Sequence, residues 1–312
     1  MRWAIIGSGN VLQTKSGGAF DSFVGQIIPN KKHQHLADEL IGRDFIDAVY
    51  VAVPPVDHLF YARIAAKYKK PTLVEKPMAL NVIEAGIMAS VFQEAVVPLW
   101  TAYYRRLLPR FLKIKELLDS GAIGEVRFCH IQHTLRPEDH PVAPIIKGEP
   151  LPWRYKSEIN GGGNFVDMGT HHLDLCDYFF GKIDNVVGRA GNVGGLYEVE
   201  DTVTASFTSG KIPVTGQWCY VAGNNVDRME IVGSSGYMEF TVFNDYPIKI
   251  VTNDGKHWSA SYEDIPNPQW VHKPLVDSII AEMNGGSKCP TNWENGLRAM
   301  RVQDKILNGN NH

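Results

Sequence analysis

The sequence predicts an α/β domain built on a parallel sheet, followed by an α+β domain with a large, mostly antiparallel open sheet. Three observations predict it. Over the first hundred residues, short apolar runs alternate with stretches whose apolar residues recur at helical spacing. From Glu125 onward the texture changes to strand after strand, separated by Ser-Gly, Gly-Ser and Asp-Gly turns. A chain of 312 residues also has room for two cores of ordinary size.

The first strand is "RWAIIG", a short apolar run that ends in glycine, as a buried parallel strand does. "IDAVYVAVPP" (Ile46 to Pro55) and "KPTLVEKP" (Lys70 to Pro77) repeat the pattern. Between them "HLFYARIAAKYKK" (His58 to Lys70) carries a helical period. "NVIEAGIMASVFQEA" does the same, opening on Asn81 with Glu84 three residues on, a capping arrangement. Strand, helix, strand in this order implies right-handed crossovers and a parallel sheet. "VPLWTAYYRR" (Val97 to Arg106) is a further strand with a polar end. The helix "PRFLKIKELLDSG" follows, with proline at its start and Gly121 at its stop. The boundary falls here, giving a first domain over 1–105 and a second over 106–312, with the closing helix 291–308 packing back on the first.

In the second domain the strand runs are "EVRFCHIQHTL", "NVVGRAGNV", "DTVTASFTSG", "KIPVTGQWCYV", "RMEIVGSSGYMEFTVF" and "PIKIVTNDG". Tight turns between consecutive runs predict antiparallel neighbours. One helix, "GNFVDMGTHHLDLCDYFFG", interrupts them. Two more close the chain, the last opening on a capping box of Thr291 and Glu294. The Pro-rich stretch from Arg136 to Pro152 is expected to be an ordered functional loop.

Composition narrows the function classes. With 31 basic against 34 acidic residues and a formal charge of −3, the chain lacks the basic excess of a phosphate-tracking surface. The run Lys67 to Lys70 is the solvated end of a helix. No apolar run approaches the roughly 20 residues needed to span a bilayer, and the N-terminus enters a strand with no cleavable signal pattern. A cytoplasmic protein with no membrane and no nucleic-acid partner is expected. The four cysteines, Cys129, Cys176, Cys219 and Cys289, form no CxxC pair, which predicts reduced, structural thiols.

Three segments carry chemistry. After the first strand, "GSGNV" (Gly7, Ser8, Gly9, Asn10, Val11) stands where a glycine turn and a helix start present N–H groups to a pyrophosphate. The third glycine of the full fingerprint would fall at Leu12, so a plain tight turn stays open as the alternative. In "VEKP", Glu75 and Lys76 sit at the end of a parallel strand, where open α/β sheets bind ligands. Lys76 there is either a donor to a substrate hydroxyl or nicotinamide ribose, or an ordinary solvated lysine. "GGGNFVDMGTHHLD" (Gly161 to Asp174) places Asp167 and His171 four residues apart, one helical turn, so that the carboxylate can hold the imidazole while the imidazole exchanges a proton with substrate. A metal pair and a core contact are the alternatives. His130, His133 and His140 lie upstream without zinc spacing, and no metal is expected. His172 points off that face and is structural.

"EKP" (Glu75 to Pro77), "AYYRR" (Ala102 to Arg106), "LPWR" (Leu151 to Arg154) and the glycine-led stretch resemble, in this order, the glucose–fructose oxidoreductase, inositol dehydrogenase and MocA (Gfo/Idh/MocA) family. The resemblance runs over nearly the whole chain. It implies a Rossmann-type first domain that binds NAD or NADP, and a second domain whose open sheet supports the substrate site and a homo-oligomer, dimer or tetramer. It implies Lys76, Asp167 and His171 as catalytic residues, with His171 the general acid/base and Asp167 assisting it or contacting substrate. It places Gly7, Ser8, Gly9, Asn10, Val11, Val53, Pro54, Pro55, His58, Glu75, Lys76, Trp153 and Arg154 along the cofactor. Lys76, Tyr104, Arg105, Asp167 and His171 fall on the substrate side, and the Lys76–Pro77 bond is expected to be cis. The function implied is hydride transfer between a nicotinamide and a carbinol or carbonyl carbon of a sugar, polyol or related cyclic alcohol. A non-catalytic dinucleotide-binding sensor or assembly subunit is the alternative, and a structural module docking through large residues such as Trp218 and Tyr220 is a third.

The chain departs from the pattern between Phe20 and Ala48, which is short by about one strand and loop for a mononucleotide-binding half. The second strand is therefore expected to be abbreviated to a remnant at Phe23 to Pro29, leaving Asn30, Lys31 and Lys32 near the adenosine ribose.

Overall fold

The computed structural model describes residues 1–20, 23–27, 34–139 and 150–309, with side chains for all of these except 23–27 and 34–35. The chain divides into two compact units: Met1–Leu108 with Pro268–Met300, and Pro109–Asn267 with Arg301–His312. The return of Pro268–Met300 to the first unit brings back more chain than the closing helix alone.

In the first unit, β1 (Trp3–Ile6), β2 (Phe23–Ile27), β3 (Ala48–Val51), β4 (Thr72–Val74) and β5 (Leu99–Thr101) form a five-stranded sheet in the order β2-β1-β3-β4-β5. Every pairing is parallel. Strands β1, β3, β4 and β5 are buried at every residue, which is why they read as unbroken apolar runs rather than alternating ones. Helices α1 (Gln34–Ile41), α2 (His58–Lys67) and α3 (Val82–Ala95) follow β2, β3 and β4. Ala62, Ala65, Ala85, Met88 and Phe92 from two of them share one core with Val49, Val51 and Val74. The Asn81 side chain caps α3 by accepting from the Glu84 N–H at 2.9 Å.

The second strand is not abbreviated. β2 makes a parallel ladder with β1, with Ala4 opposite Gly25, Ile5 opposite Gln26 and Ile6 opposite Ile27. The shortening lies in the connections. Residues 21 and 22 alone separate Phe20 from β2, and among the described residues one eight-residue helix, α1, stands between β2 and β3. Asn30, Lys31 and Lys32 lie outside the described residues.

The second unit opens with α4 (Pro109–Asp119) and contains a single helical turn, α5 (Ser157–Asn160), and α6 (Thr170–Phe180). Its sheet comprises β6 (Val126–Thr134), β7 (Ile183–Gly191), β8 (Thr202–Ser209), β9 (Ile212–Cys219), β10 (Val226–Gly233), β11 (Gly236–Phe240), β12 (Ile248–Asn253) and β13 (Trp258–Glu263). The order is β13-β12-β11-β10-β6-β9-β8-β7. Consecutive strands pair antiparallel from β7 to β9 and from β10 to β13, as expected. β6 departs from that rule: it lies between the two meanders, antiparallel to β10 and parallel to β9. The helices between β6 and β7 release β6 from its successor, since a long connection need not return beside its own strand. β13 went unpredicted because it is an edge strand with no buried face, exposed at Trp258 through Tyr262.

Along β9 the residues alternate strictly between buried and exposed, with Val214 and Trp218 inward and Thr215 and Gln217 outward. Trp218 and Tyr220 are fully buried, so they belong to the core and not to a docking face. The helix α8 (Trp293–Asn308) is shared, its residues to Met300 in the first unit and its remainder in the second. Its cap is set one residue later than Thr291: Asn292 Oδ1 accepts from the Glu294 and Asn295 N–H groups at 2.9 and 3.2 Å, and Asn295 Oδ1 accepts from the Asn292 N–H at 2.7 Å. Thr291 spends its hydroxyl on the Thr101 carbonyl instead.

Candidate active site

The sheet order reverses at β1, whose neighbours β2 and β3 both follow it in sequence, and the turns after β1 and β3 flank that switch point. Gly7 closes β1 with φ +136°, and a Cβ there would stand 2.1 Å from the Ala52 carbonyl oxygen. No other residue type fits that position. Gly9 has nothing within 4 Å of its would-be Cβ, and Gly9 and Asn10 are exposed. Leu12, where a third glycine would fall, is buried, and a widened helical turn starts there (Leu12–Ser16). An open turn of backbone N–H groups at a helix start suits the pyrophosphate of a dinucleotide.

On the β3 side Pro54 is partly open, whereas Val53, Pro55 and His58 are buried. His58 Nε2 lies 2.8 Å from the Val53 carbonyl and Nδ1 3.3 Å from that of Met78. Burial holds the His58 pKa below its ordinary value against the pull of those carbonyls, so the ring is neutral and has one proton to give. The shorter contact assigns it to Nε2. His58 thereby donates to the Val53 carbonyl within the turn after β3.

The β4 turn carries Glu75 and Lys76, and the Lys76–Pro77 bond is cis. Glu75 is buried; its Oε1 accepts from the Tyr50 hydroxyl at 2.6 Å and its Oε2 from the Lys76 N–H at 3.2 Å. Burial, and then the Glu75 charge, push the Tyr50 pKa far up, so the phenol stays a donor. His272, fully buried, stands with Nδ1 3.4 Å from the Tyr50 oxygen and 3.7 Å from Glu75 Oε1. Its ring lies 4.5 Å from that of Tyr104. Burial, joined by the charges of Lys15, Lys76 and Arg105, pushes the His272 pKa down to about 3. Because Tyr50 gives its proton to Glu75, the Nδ1 side of the neutral ring faces acceptors and takes the proton. Nε2 has no hydrogen-bond partner among the described residues.

Tyr104 lies between cations, with the Lys15 Nζ 5.8 Å and the Arg105 Cζ 5.1 Å from its ring centre. Burial raises its pKa, but Arg105, Lys15 and Lys76 outweigh it and the net shift is downward. Tyr104 and Arg105 are both buried; of the substrate candidates in this unit, Lys76 alone is partly open. Sequence reasoning missed His272. Its only local mark is its place ahead of Lys273 and Pro274 at the start of α7 (Lys273–Met283).

The second unit holds the other candidates. Asn160 ends α5, and its side-chain amide donates to the carbonyls of Arg154 and Gly162, both at 3.0 Å, and of Gly163 at 3.3 Å. The Arg154 guanidinium lies over the Trp153 ring at 4.4 Å and its Nε is 3.4 Å from Asp167 Oδ2. Asp167 falls in a widened helical turn, Phe165–Gly169, and His171 in the first turn of α6. The spacing had predicted one continuous α-helix; hydrophobic period does not distinguish a local π-turn from it. His171 is buried, with the Phe243 ring edge-on at 5.9 Å. His172 accepts from the Trp218 indole N–H at 3.3 Å and is a packing residue. Glu200, also missed, accepts from the Gly163 N–H at 2.8 Å. Burial lifts its pKa to about 7, against the pull of the Gly163 N–H. Among the described residues no cluster of three His, Cys, Asp or Glu is arranged to hold a metal. The four cysteines are free thiols.

Residues 19–103 match an oxidoreductase family with an NAD-binding Rossmann fold, and residues 111–239 match the GFO/IDH/MocA C-terminal domain. Oxidoreductase P35 of Formosa agariphila is 31% identical over 97% of both chains. The chain belongs to the GFO/IDH/MocA family. It is an NAD(P)-binding oxidoreductase. Other relatives are the D-xylose 1-dehydrogenase [NADP(+)] of Haloarcula marismortui, 34% identical over 50% of this chain and 41% of that one, and the myo-inositol 2-dehydrogenase of Thermotoga maritima, 31% identical over 64% and 57%. The fold is that of an oxidoreductase domain protein from Kribbella flavida, with a TM-score of 0.82 at 20% identity over 97% of this chain and 95% of that one. The first family match begins at residue 19, beyond the glycine turn, so the geometry at Gly7 and Gly9 adds to it independently. No helix among the described residues is long and apolar enough to cross a membrane.

Proposed function

We propose that this GFO/IDH/MocA protein is a dehydrogenase or reductase acting on the CH–OH group of a sugar, polyol or related cyclic alcohol. The observation that carries it is the first sheet's C-terminal edge, where the open glycine turn after β1 and the partly open Lys76 after β4 lie two strands apart. Relatives named for xylose and inositol support the substrate class. Bound NAD or NADP supplies the hydride acceptor or donor. Lys76, held through its N–H and by the Glu75 anchor, donates to the reacting oxygen and polarises it. His171 takes or returns the hydroxyl proton, and Asp167, paired with Arg154, assists it. Tyr104 and Arg105, buried behind, set the field at Lys76 rather than filling a binding surface. Trp153, stacked under Arg154, offers an aromatic wall. A homo-oligomer formed through the open face of the large sheet belongs to the same proposal.

Titration with NADH and with NADPH, followed by fluorescence, tests the nucleotide half and decides between the two. A screen of sugars and polyols by nicotinamide absorbance follows, with His171→Ala and Lys76→Met expected to lose about 10²–10⁴-fold in kcat while nucleotide affinity stays. Full activity in both variants would refute the assignment, and light scattering reads the oligomer. Tight nucleotide binding with no turnover on any hydroxyl substrate would favour a sensor or assembly subunit.

A further inference from the structure

Resting on the roles just proposed for Asp167 and His171, we propose that Glu200 is their positioning residue: its carboxylate seats the glycine-led turn and the helix start from which both side chains project. The Gly163 N–H donates to its Oε1 at 2.8 Å, and the Val166 N–H adds to the pull on its charge. Those two groups bracket the start of the widened turn Phe165–Gly169, where Asn164 supplies no side-chain cap. First-turn N–H groups have no partner within a helix, and a carboxylate at that end satisfies them and faces the positive end of the dipole. Glu200 thus does from a distant segment what an N-cap side chain does locally.

The glycines record the closeness of this seat. A Cβ on Gly162 would stand 3.2 and 3.3 Å from the two Glu200 carboxylate oxygens and 2.5 Å from Val166 Cγ2. One on Gly163 would meet the Glu200 carbonyl oxygen at 2.5 Å and Oε1 at 3.2 Å. Val166 and the Glu200 backbone carbonyl forbid a Cβ at Gly162 and Gly163 respectively, and the Glu200 carboxylate lies close against both glycines. The neighbouring Asp201 fixes the segment: it is fully buried and accepts from the Val193 and Gly194 N–H groups at 2.9 and 2.7 Å and from the Thr202 hydroxyl at 2.8 Å.

Because burial places its titration near neutrality, Glu200 changes charge where enzymes work, and the hold on the turn follows that charge. The charged and titratable groups that act on it are Asp201 and Tyr197 on its own segment and Tyr220; Tyr155 stands one step further, against Tyr197 and the Asp167–Arg154 pair. The three tyrosines are pushed well above their ordinary range, chiefly by burial, and stay neutral throughout.

Amide hydrogen exchange over residues 161–171, in the full chain and corrected for intrinsic rates, tests the seat without requiring turnover. From about pH 5.5 to about pH 8.5, wild-type protection should change several-fold through neutrality, Glu200→Gln should be flat with pH, and Glu200→Ala should lose protection by roughly tenfold or more. In turnover, Glu200→Ala should lose on the order of a hundredfold in kcat with little change in nucleotide KM, the mark of displaced catalytic groups, and Glu200→Gln should restore most of it without the neutral inflection. If Glu200→Gln and wild type share the same exchange and the same pH profile, the proposal is wrong. If His171→Ala turns over normally, the acid–base assignment falls while exchange still decides whether Glu200 holds the turn. Should Glu200→Ala fail to fold, the near-isosteric glutamine variant carries both readouts.

Discussion

The Tyr50 hydroxyl donates to Oε1 of Glu75 at 2.6 Å, so a side chain of β3 fixes the carboxylate that begins the turn after its neighbour β4. A buried carboxylate is costly unless each oxygen is engaged. Here Tyr50 serves one oxygen and the Lys76 N–H the other, which makes the Lys76 backbone part of the anchor.

Tyr50→Phe removes that donor and leaves the buried Glu75 half served. Stability should fall by about 1–3 kcal/mol in urea denaturation. kcat should drop as the Lys76 turn loosens, with NADH affinity almost unchanged because the glycine turn belongs to β1. An unaltered midpoint would show that water or His272 replaces the phenol without loss.

Stability should depend on pH through Glu200. Its folded pKa, about 7, lies above the ordinary glutamate range, so the folded state keeps its proton longer than the unfolded chain. The contribution is therefore full below the unfolded value, falls as pH rises through the interval up to about 7, and is gone above it. Glu200→Gln should abolish this slope and at pH ~8 melt higher than wild type, by up to about 3 kcal/mol. Parallel pH–stability curves for the two proteins would contradict it. Better stability with poorer positioning is the trade expected of a functional carboxylate.

Gly7 and Gly9 should separate folding from binding. Gly7→Ala collides with the Ala52 carbonyl and should destabilise the chain by more than about 2 kcal/mol. Gly9→Ala meets open space and should keep its melting temperature, yet weaken NADH or NADPH binding by roughly tenfold or more if the turn approaches the pyrophosphate closely. Undiminished binding in Gly9→Ala would place the phosphates elsewhere.

The cap of α8 gives a sharper contrast. Asn292→Ala should cost about 1 kcal/mol and Glu294→Ala a small fraction of that, by chemical denaturation. Equal losses would restore the capping box that the sequence suggested.

The sequence carries most where burial leaves a local imprint. β1, β3 and β4 are enclosed on both faces and show as apolar runs; β13 is exposed from Trp258 through Tyr262 and shows nothing. Asn81 announces α3 because its partner is three residues away. Thr291 satisfies the same motif but its hydroxyl is drawn off by Thr101, a competitor that no local window contains. His272 and Tyr50 are 222 residues apart, and Glu200 reaches Gly163 across 37. Neither contact leaves a periodic signal, so the residues proposed to bear the chemistry can be nominated from local motifs while those that hold their turns in place cannot.

The first unit is assembled from two separate stretches of chain, and that limits how this protein can be cut or recombined. A fragment ending near Leu108 carries the whole parallel sheet but lacks His272 against Tyr50, the Thr291 hydroxyl on Thr101 and Glu282, which accepts from the Trp100 indole N–H. Exchanging nucleotide modules between homologous genes therefore takes three junctions, near residues 108, 268 and 300, the last inside α8. A single-crossover chimera would pair one parent's sheet with the other parent's buttress.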